Sequence, residues 1–468
     1  MLIKFTPCIS IAFTFASIVA FSQKASAQIT PDTTLPDRSA VNLEGQLQRI
    51  TGGTQIGGNL FHSFEQFNVR TGETALFDNA LTVDNIINRV TGGQISNIDG
   101  LIRANGAANL FLLNPSGIVF GPNAQLNIGG SFFASTADSI LFEDGIFFSA
   151  TDPVGTDGRP PLLTVNTPIG LQYESQVGDI TVDRAVLTVP STQTLALLGG
   201  NLDLNGATLQ VPEGRAILGG LTAEGMVSFN GETVSFPDSI ARGNVTLNHG
   251  AIVDVAGSNS GSLDVFASNL NLSGGSQLLA GIAANQTQIN AIAGDISVNA
   301  TGNVTLSDRS LIANSVAAEA WGNGGNIEVS GNAITLTSGS RIETITNASG
   351  NAGDIALNAN TIDISGLTAD GLFSGILTYA EAPNSGTSGS IQINSPSNAT
   401  GTVRLADRGF IATVTNSDRA SGTINIYTDR LILERGGQIL TLATYNGRAG
   451  DITINATESI TMSGSSTQ

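Results

Sequence analysis

Two histidines and one cysteine are all that this 468-residue chain offers for metal or thiol chemistry, and they lie far apart, at Cys8, His62 and His249. A tetrahedral zinc site needs three or four nitrogen, sulfur or carboxylate ligands held together, so neither histidine alone predicts one. His62 is read as a turn or core residue and His249 as the occupant of a variable corner. The carboxylates are the other candidates, 38 in all. Glycoside hydrolysis needs two carboxyl groups at a set separation, and a pectate-type lyase needs a basic residue beside a calcium-binding aspartate cluster. Here the carboxylates are scattered, no Gly-Gly-x-Gly-x-Asp calcium run exists, and the two lysines, Lys4 and Lys24, both precede residue 28. Asp308-Arg309 and Asp407-Arg408 read as exposed ion pairs of small energetic consequence. The expectation is a protein that is not an enzyme, with no catalytic, metal-binding or cofactor-binding residues.

The elements that would position such residues are therefore more informative than the residues themselves. Residues 1–27 read as a secretory signal peptide, with Lys4 as the positive start, an apolar core from Ile9 to Phe21, and Ala25-Ser26-Ala27 at the cleavage positions. The apolar core is shorter than the ~20 residues of a membrane span. Cys8 falls within the signal peptide, so the mature chain carries no thiol, and 17 arginines face 38 carboxylates, a net charge of −21. Such an acidic chain argues against nucleic acid and anionic lipid surfaces as partners and suits a solvated extracellular surface. With 56 glycines and 5% aromatic residues, the composition favours a turn-rich β architecture.

The chain is organised around residues 107–121, Ala-Ala-Asn-Leu-Phe-Leu-Leu-Asn-Pro-Ser-Gly-Ile-Val-Phe-Gly. Leu110–Leu113 and Ile118–Phe120 read as short strands buried on both faces. Between them, Asn114, Pro115, Ser116 and Gly117 carry the chemistry of a tight turn: an Asx side chain that bonds backbone two residues on, a preset φ, and a position without Cβ.

Asn114-Pro115-Ser116-Gly117-Ile118 resembles the Asn-Pro-x-Gly-Ile motif of two-partner secretion exoproteins. Upstream lie Gly58-Asn59-Leu60-Phe61-His62-Ser63-Phe64-Glu65-Gln66-Phe67-Asn68-Val69, Asn85-Ile86-Ile87-Asn88-Arg89-Val90-Thr91-Gly92-Gly93 and Ser96-Asn97-Ile98-Asp99-Gly100; downstream lie Gly121-Pro122-Asn123-Ala124 and Gly129-Gly130-Ser131-Phe132-Phe133-Ala134-Ser135-Thr136. In this order they resemble the filamentous haemagglutinin N-terminal domain of the form common in cyanobacterial exoproteins. The family's other motif, Asn-Pro-Asn-Leu, has no literal copy; Phe77-Asp78-Asn79-Ala80-Leu81 is the nearest segment. The resemblance implies export by the inner-membrane Sec machinery and then by a cognate outer-membrane transporter, with Asn114, Pro115, Ser116, Gly117 and Ile118 as the secretion motif. It also implies a secreted or surface-exposed adhesin or haemagglutinin-like stalk, whose receptor on a host, cell surface or glycan is unknown. A polysaccharide-active β-helix enzyme and an autotransporter passenger are the alternatives.

The segment Leu60–Phe67 repeats Phe every third position, which predicts an irregular cap or a bulged strand. Residues 28–57 read as polar and turn-rich, and 151–161 as a loop or boundary. From about residue 195 a repeat takes over, as in Leu202-Asp203-Leu204, Val304-Thr305-Leu306 and Leu431-Ile432-Leu433. Glycines at 294, 325, 353, 389, 422 and 450 precede most late copies, at spacings of 31, 28, 36, 33 and 28. A unit near 30 residues with period-two apolar positions and three short strands predicts a solenoid. The expected fold is all-β, a right-handed parallel β-helix with an N-terminal cap and extra-helical strands or hairpins. In it apolar residues point inward, Ser, Thr and Asn point out, and the longest gap is taken up by a loop at 369–389. The expected divisions are 1–27 signal peptide, 28–160 secretion domain, 161–290 β-helix continuation and 291–468 β-helix repeats. Ile460–Gln468 begins a further copy, which predicts a truncated chain or fragment.

Overall fold

The computed structural model describes residues 29–154, 158–174, 177–230, 233–237, 239–285, 291–398 and 401–464. The signal-peptide reading, with Cys8 and both lysines, lies outside them.

Each coil contributes three short parallel strands. In one late coil these are Ile296–Ala300, Asn303–Leu306 and Leu311–Val316, and the next coil repeats them at Ile327–Ser330, Ala333–Leu336 and Arg341–Thr346. Strands stack in register on their counterparts, forming three walls. Alternation makes every second side chain point inward. Ile296, Ile327, Ile355, Ile391 and Ile424 therefore form a continuous buried row along the first wall. Val304, Ile334, Ile362, Val403 and Leu431 do the same along the second, and Ile312, Ile342, Ile376 and Ile411 along the third. Each such buried side chain stabilises the stack by about 1.5–3 kcal/mol.

Two turns of chain geometry set the corners. Between the second and third walls, consecutive residues adopt left-handed φ: His249-Gly250, Asp308-Arg309, Ser338-Gly339, Asp407-Arg408 and Arg435-Gly436. His249 is thus a corner residue, with its Nδ1 2.8 Å from Asn248 Oδ1. The consecutive acid–base residues do not pair with each other, contrary to expectation. Arg309 reaches Asp370, and Arg435 reaches Asp407 at 2.6 Å. Adjacent left-handed residues splay their side chains; Asp407 lies on the corner one coil before Arg435, only about 4.8 Å away, and Asp370 lies two coils beyond Arg309, in the longer loop at 366–374.

Between the third and first walls runs a column of glycines. A Cβ on Gly325, Gly353, Gly389, Gly422 or Gly450 would run into the carbonyl oxygen of the corresponding glycine one coil earlier. Into this column project threonines from inside the helix. Thr344, Thr378, Thr413 and Thr441 donate to the carbonyls of Gly353, Gly389, Gly422 and Gly450 at 2.6–2.8 Å. The expectation that Ser, Thr and Asn point out is therefore corrected: Asn314, Thr344, Thr378 and Thr413 are fully buried, as are Ser276, Ser310, Ser340 and Ser374 near the second corner. The threonines, and Ser276 and Ser310, turn inside because the corner carbonyls, crowded against the next coil, need donors. The loop expected at 369–389 is also displaced. Gly375–Ala380 is a regular wall strand, and the added length lies at 366–374, ahead of it.

The N-terminal segment 29–56 is more regular than its composition suggests. Ser39–Glu44 and Leu47–Gly52 form a hairpin, and Leu47–Ile50 starts the third wall by pairing parallel with Thr74–Phe77. Ile29–Pro31 and Thr54–Ile56 run antiparallel against Asn59–Phe67, the first strand of the first wall. That strand is bulged, as its Phe spacing predicts. Thr30 faces Gln66 and Pro31 faces Phe64, so Glu65 is the extra residue and Phe64 and Phe67 both enter the core.

Outside the coils lies a five-stranded antiparallel sheet, in the order Phe147–Ser149, Ser139–Phe142, Pro168–Tyr173, Gly225–Asn230, Thr233–Ser235. It packs on the outer face of the first wall over Ile87, Phe111, Leu113, Ala196, Leu198 and Ile217. Leu110–Leu113 is accordingly buried on both faces. Ile118–Phe120 is not: it belongs to the uncovered second wall, and Val119 is half-exposed. The stretch 151–161 is a loop in its described part, and the outer sheet continues on both sides of it.

Candidate functional site

The five motif residues occupy the corner that joins Asn109–Leu113 of the first wall to Ile118–Phe120 of the second. Asn114 is wholly buried, and its amide is fully used. Nδ2 donates to Gln94 O and Ser96 Oγ, both at 2.9 Å, and Oδ1 accepts from Ser116 N at 3.0 Å. Gly117 N donates to Asn114 O at 3.0 Å, closing the turn. The backbone links the coils on either side: Ser96 N to Gly117 O from below, and Gly178 N to Pro115 O and Ile118 N to Asp179 O with the coil above. Ile118 is fully buried in the core, while Pro115 and Ser116 are half-exposed at the rim.

Gly178 sits on this turn so closely that a Cβ would come within 2.5 Å of Gly117 N and Ser116 C. Sequence reading missed it, although Gly178-Asp179-Ile180 has the same form as Gly294-Asp295-Ile296 in the later repeats. Gly200 and Gly243 stack on it in turn, each against a carbonyl oxygen of the glycine before. Asp179 Oδ1 accepts from Asn201 N at 2.7 Å, and Asn201 Oδ1 accepts from Asn244 N at 3.0 Å. The motif is thus the first rung of a second glycine column, the one leading into the second wall.

The start of the first wall carries a matching asparagine ladder. Asn85 Nδ2 donates to Asn59 Oδ1 and Asn109 Nδ2 to Asn85 Oδ1, each at 2.9 Å, and Asn59 Nδ2 reaches Thr164 O and Asn166 O at 3.0 and 2.8 Å. In the segment nearest the missing motif, Asn79 bonds Asn105 reciprocally, Nδ2 to carbonyl at 3.0 Å and amide N to Oδ1 at 2.9 Å. Leu81 beside it is 77% exposed.

A second polar centre escaped sequence reading. Arg89 lies on the outer face of the first wall and is completely buried. Its Nε donates to Ser63 Oγ at 2.9 Å, Nη1 to Ser149 O at 2.5 Å, and Nη2 to Thr34 Oγ1 and Pro153 O at 2.8 and 3.0 Å. Its guanidinium lies 4.2 Å from the Phe148 ring centroid. Among the described residues no carboxylate touches it; Asp32 is reached through Ser63 and Thr34. Burial pushes the Arg89 pKa down to about 10, against the attraction of Asp32 and Asp152. Burial raises Asp32 too, but hydrogen bonds from Ser63, Thr34 and Thr91 outweigh it and hold that carboxyl below its ordinary value. One side chain therefore fastens the N-terminal segment, the first coils and the outer sheet together. The only signal in sequence is an arginine at an apolar-patterned position in Asn85–Val90.

His62 is a core residue, stacked 5.8 Å from Phe64, with Nδ1 2.9 Å from Ser39 Oγ. Burial pushes its pKa down to about 3, so it is neutral at physiological pH. Among the described residues, no three His, Cys, Asp or Glu side chains gather as a metal site, and no helix is long and apolar enough to cross a membrane.

Comparison with known proteins places this architecture. Over 51 residues the chain is 45% identical to a heme/hemopexin-binding protein of Haemophilus influenzae, a match covering 11% of this chain and 5% of that protein. The HMW1 secretion domain of Haemophilus influenzae aligns over 91% of this chain and 100% of its own, with a TM-score of 0.52 and 16% identity, a likeness of fold. A filamentous hemagglutinin secretion domain aligns over 93% and 99% with a TM-score of 0.36 and 13% identity. The sequence pattern of the TPS (two-partner secretion) secretion domain matches residues 27–265, just over half of the 468, and the chain belongs to that family.

Proposed function

We propose that this chain is an exoprotein of a two-partner secretion system, and that its N-terminal part is the address by which a cognate outer-membrane transporter exports it. In this reading residues 1–27 engage the inner-membrane Sec machinery and are removed. The mature chain crosses the periplasm unfolded and folds at the cell surface, where it stays or is released. The coils then serve as an adhesin or haemagglutinin-like stalk that presents a binding surface to a host, cell-surface or glycan receptor, with no catalytic step and no cofactor. In this reading the exporting unit extends from the expected 28–160 to about residue 265, and two features support that extent. The outer sheet that begins at Ser139 gains its last strand only at Thr233–Ser235, and the family match extends to 265.

The observation that carries the reading is the Asn114–Ile118 corner. Its amide bonds, its turn and its glycine contact span three successive coils, so it fixes the register from which the second wall is built. Parallel coils pair residues distant in sequence and fold slowly. A chain still unfolded in the periplasm can be threaded, and a corner that sets register on arrival outside prevents its return. The test is co-expression with the cognate outer-membrane transporter, comparing culture supernatant with periplasm for Asn114→Ala and Pro115→Ala. Both variants are expected to be synthesised normally and exported poorly. Normal export of both would remove the motif from the mechanism.

A further inference from the structure

The third wall is unlike the other two on its outside. Outward positions of the late first-wall strands are mostly polar, Ser297, Asn299, Glu328 and Gln392 with Ala356 among them. On the third wall the registered outward row runs Leu279, Ala313, Glu343, Leu377, Ala412, Leu440, and the row beside it ends Ile345, Tyr379, Val414, Leu442. Ala412 is the small residue between two leucines, and the dip it leaves is a groove of about 460 Å³, within the ~300–1,000 Å³ range of small-molecule sites. Leu377, Ala412, Val414 and Leu440 form its floor, and Phe373 and Phe410 its apolar wall.

Two guanidinium groups close the same end. Arg408 lies 5.8 Å from the Phe373 ring centroid, and Arg341 donates through Nε to Phe373 O at 3.4 Å. Of the described carboxylates nearby, Glu343 lies 3.7 Å from Arg341 Nη1, and Asp370 and Asp407 pair with Arg309 and Arg435. Burial raises Glu343 above its ordinary value, which weakens its hold on Arg341. A groove apolar along its length and cationic at one end is complementary to a molecule built the opposite way.

We propose that this groove binds one amphiphilic anion, an acyl chain ending in a carboxylate or phosphate, with the chain across Leu377, Ala412 and Leu440 and the head between Arg341 and Arg408. Three inter-strand spacings give a length of about 14 Å, enough for about ten to twelve carbons. The site does not depend on the secretion reading, because export and this binding are measured separately.

The experiment titrates the full chain with dodecanoate below its micelle concentration by calorimetry, with dodecyltrimethylammonium as the charge control. Dodecanoate is expected to bind one to one and the cation not to saturate. Ala412→Leu fills the groove and should abolish binding. Arg408→Gln should weaken it about tenfold, the scale of a charge-assisted hydrogen bond; as a rim substitution it keeps the test decisive if Ala412→Leu folds poorly by circular dichroism. Co-sedimentation with anionic phospholipid vesicles would assign the head group to a membrane lipid, and its absence to a free amphiphile; either keeps the site. Equal binding of anion and cation, unchanged binding by Arg408→Gln, or paired copies in sedimentation that Ala412→Leu separates would overturn it.

Discussion

Replacing Arg89 by methionine is the sharpest test of how the N-terminal part holds together. Methionine keeps the unbranched apolar stem, stops short of the guanidinium position and removes every donor. Ser63 Oγ and Thr34 Oγ1 keep a partner, since both also bond Asp32, at 2.6 and 2.8 Å. Ser149 O and Pro153 O each lose the guanidinium. Two part-buried carbonyls each lose a bond from a charged donor, about 1–3 kcal/mol each, and Asp32 loses a nearby positive charge, so the expected penalty is about 3–5 kcal/mol. Burying an arginine without a direct carboxylate partner is itself costly, which offsets part of that loss, and about 3 kcal/mol is the working figure. In a solenoid the loss stays local, because coils contact only their neighbours. The assay is hydrogen–deuterium exchange by mass spectrometry on the folded full chain. Amides in 29–67 and 139–153 should exchange about a hundredfold faster, the equivalent of ~3 kcal/mol, while those beyond 300 stay unchanged. Arg89→Lys should recover only part of the protection, since an ammonium cannot span four acceptors in a fork. Wild-type exchange in Arg89→Met would refute the idea that this residue fastens three elements.

Gly389→Ala places a methyl against the Gly353 carbonyl and should lower the urea midpoint by several tenths molar or more, while Gly331→Ala, whose Cβ meets nothing nearer than 3.0 Å, should be mild. Thr378→Val keeps the shape but strips the donor from Gly389 O; about 1–2 kcal/mol of local protection should be lost in that coil, read by the same exchange experiment. His62 stays neutral in the fold while its unfolded counterpart takes a proton near pH 6.5, so stability should fall as pH drops from 6.5 towards 3 by up to about 1.4 kcal/mol per unit; His62→Phe should flatten that part of the denaturation profile.

The three-walled coil was legible because period-two alternation and the recurring glycines are both direct images of backbone geometry. Ile296, Ile327, Ile355 and Ile391 follow their glycines at a constant offset in sequence and stack directly in space. The bulge at Glu65 was legible for a similar reason, since phenylalanines three apart share a side only if one residue is looped out. What sequence could not give was the use of hydroxyls inside. Thr378 and Thr413 look like surface residues, and only the crowding of the glycine column explains why their oxygens turn inward. Likewise the Asn114 turn was readable as a turn, but its three partners come from 94–96 and 116, and the glycine pressed onto it from 178. The Arg89 contacts join residues 34, 63, 149 and 153, separations at which no local pattern exists. The outer sheet interrupts the coil count between 135 and 180, which is why the repeat became visible only afterwards.

The strands Ile29–Pro31 and Thr54–Ile56, laid against the first strand of the first wall, have a consequence for how the stack can grow. Running against the direction of the coils, they occupy the backbone groups that a preceding coil would use. Elongation is thereby given a polarity: a new turn of chain can be added only on the side facing later residues. A polypeptide delivered amino end first meets its template before its building material, so each arriving segment finds one vacant edge and one orientation in which to join it.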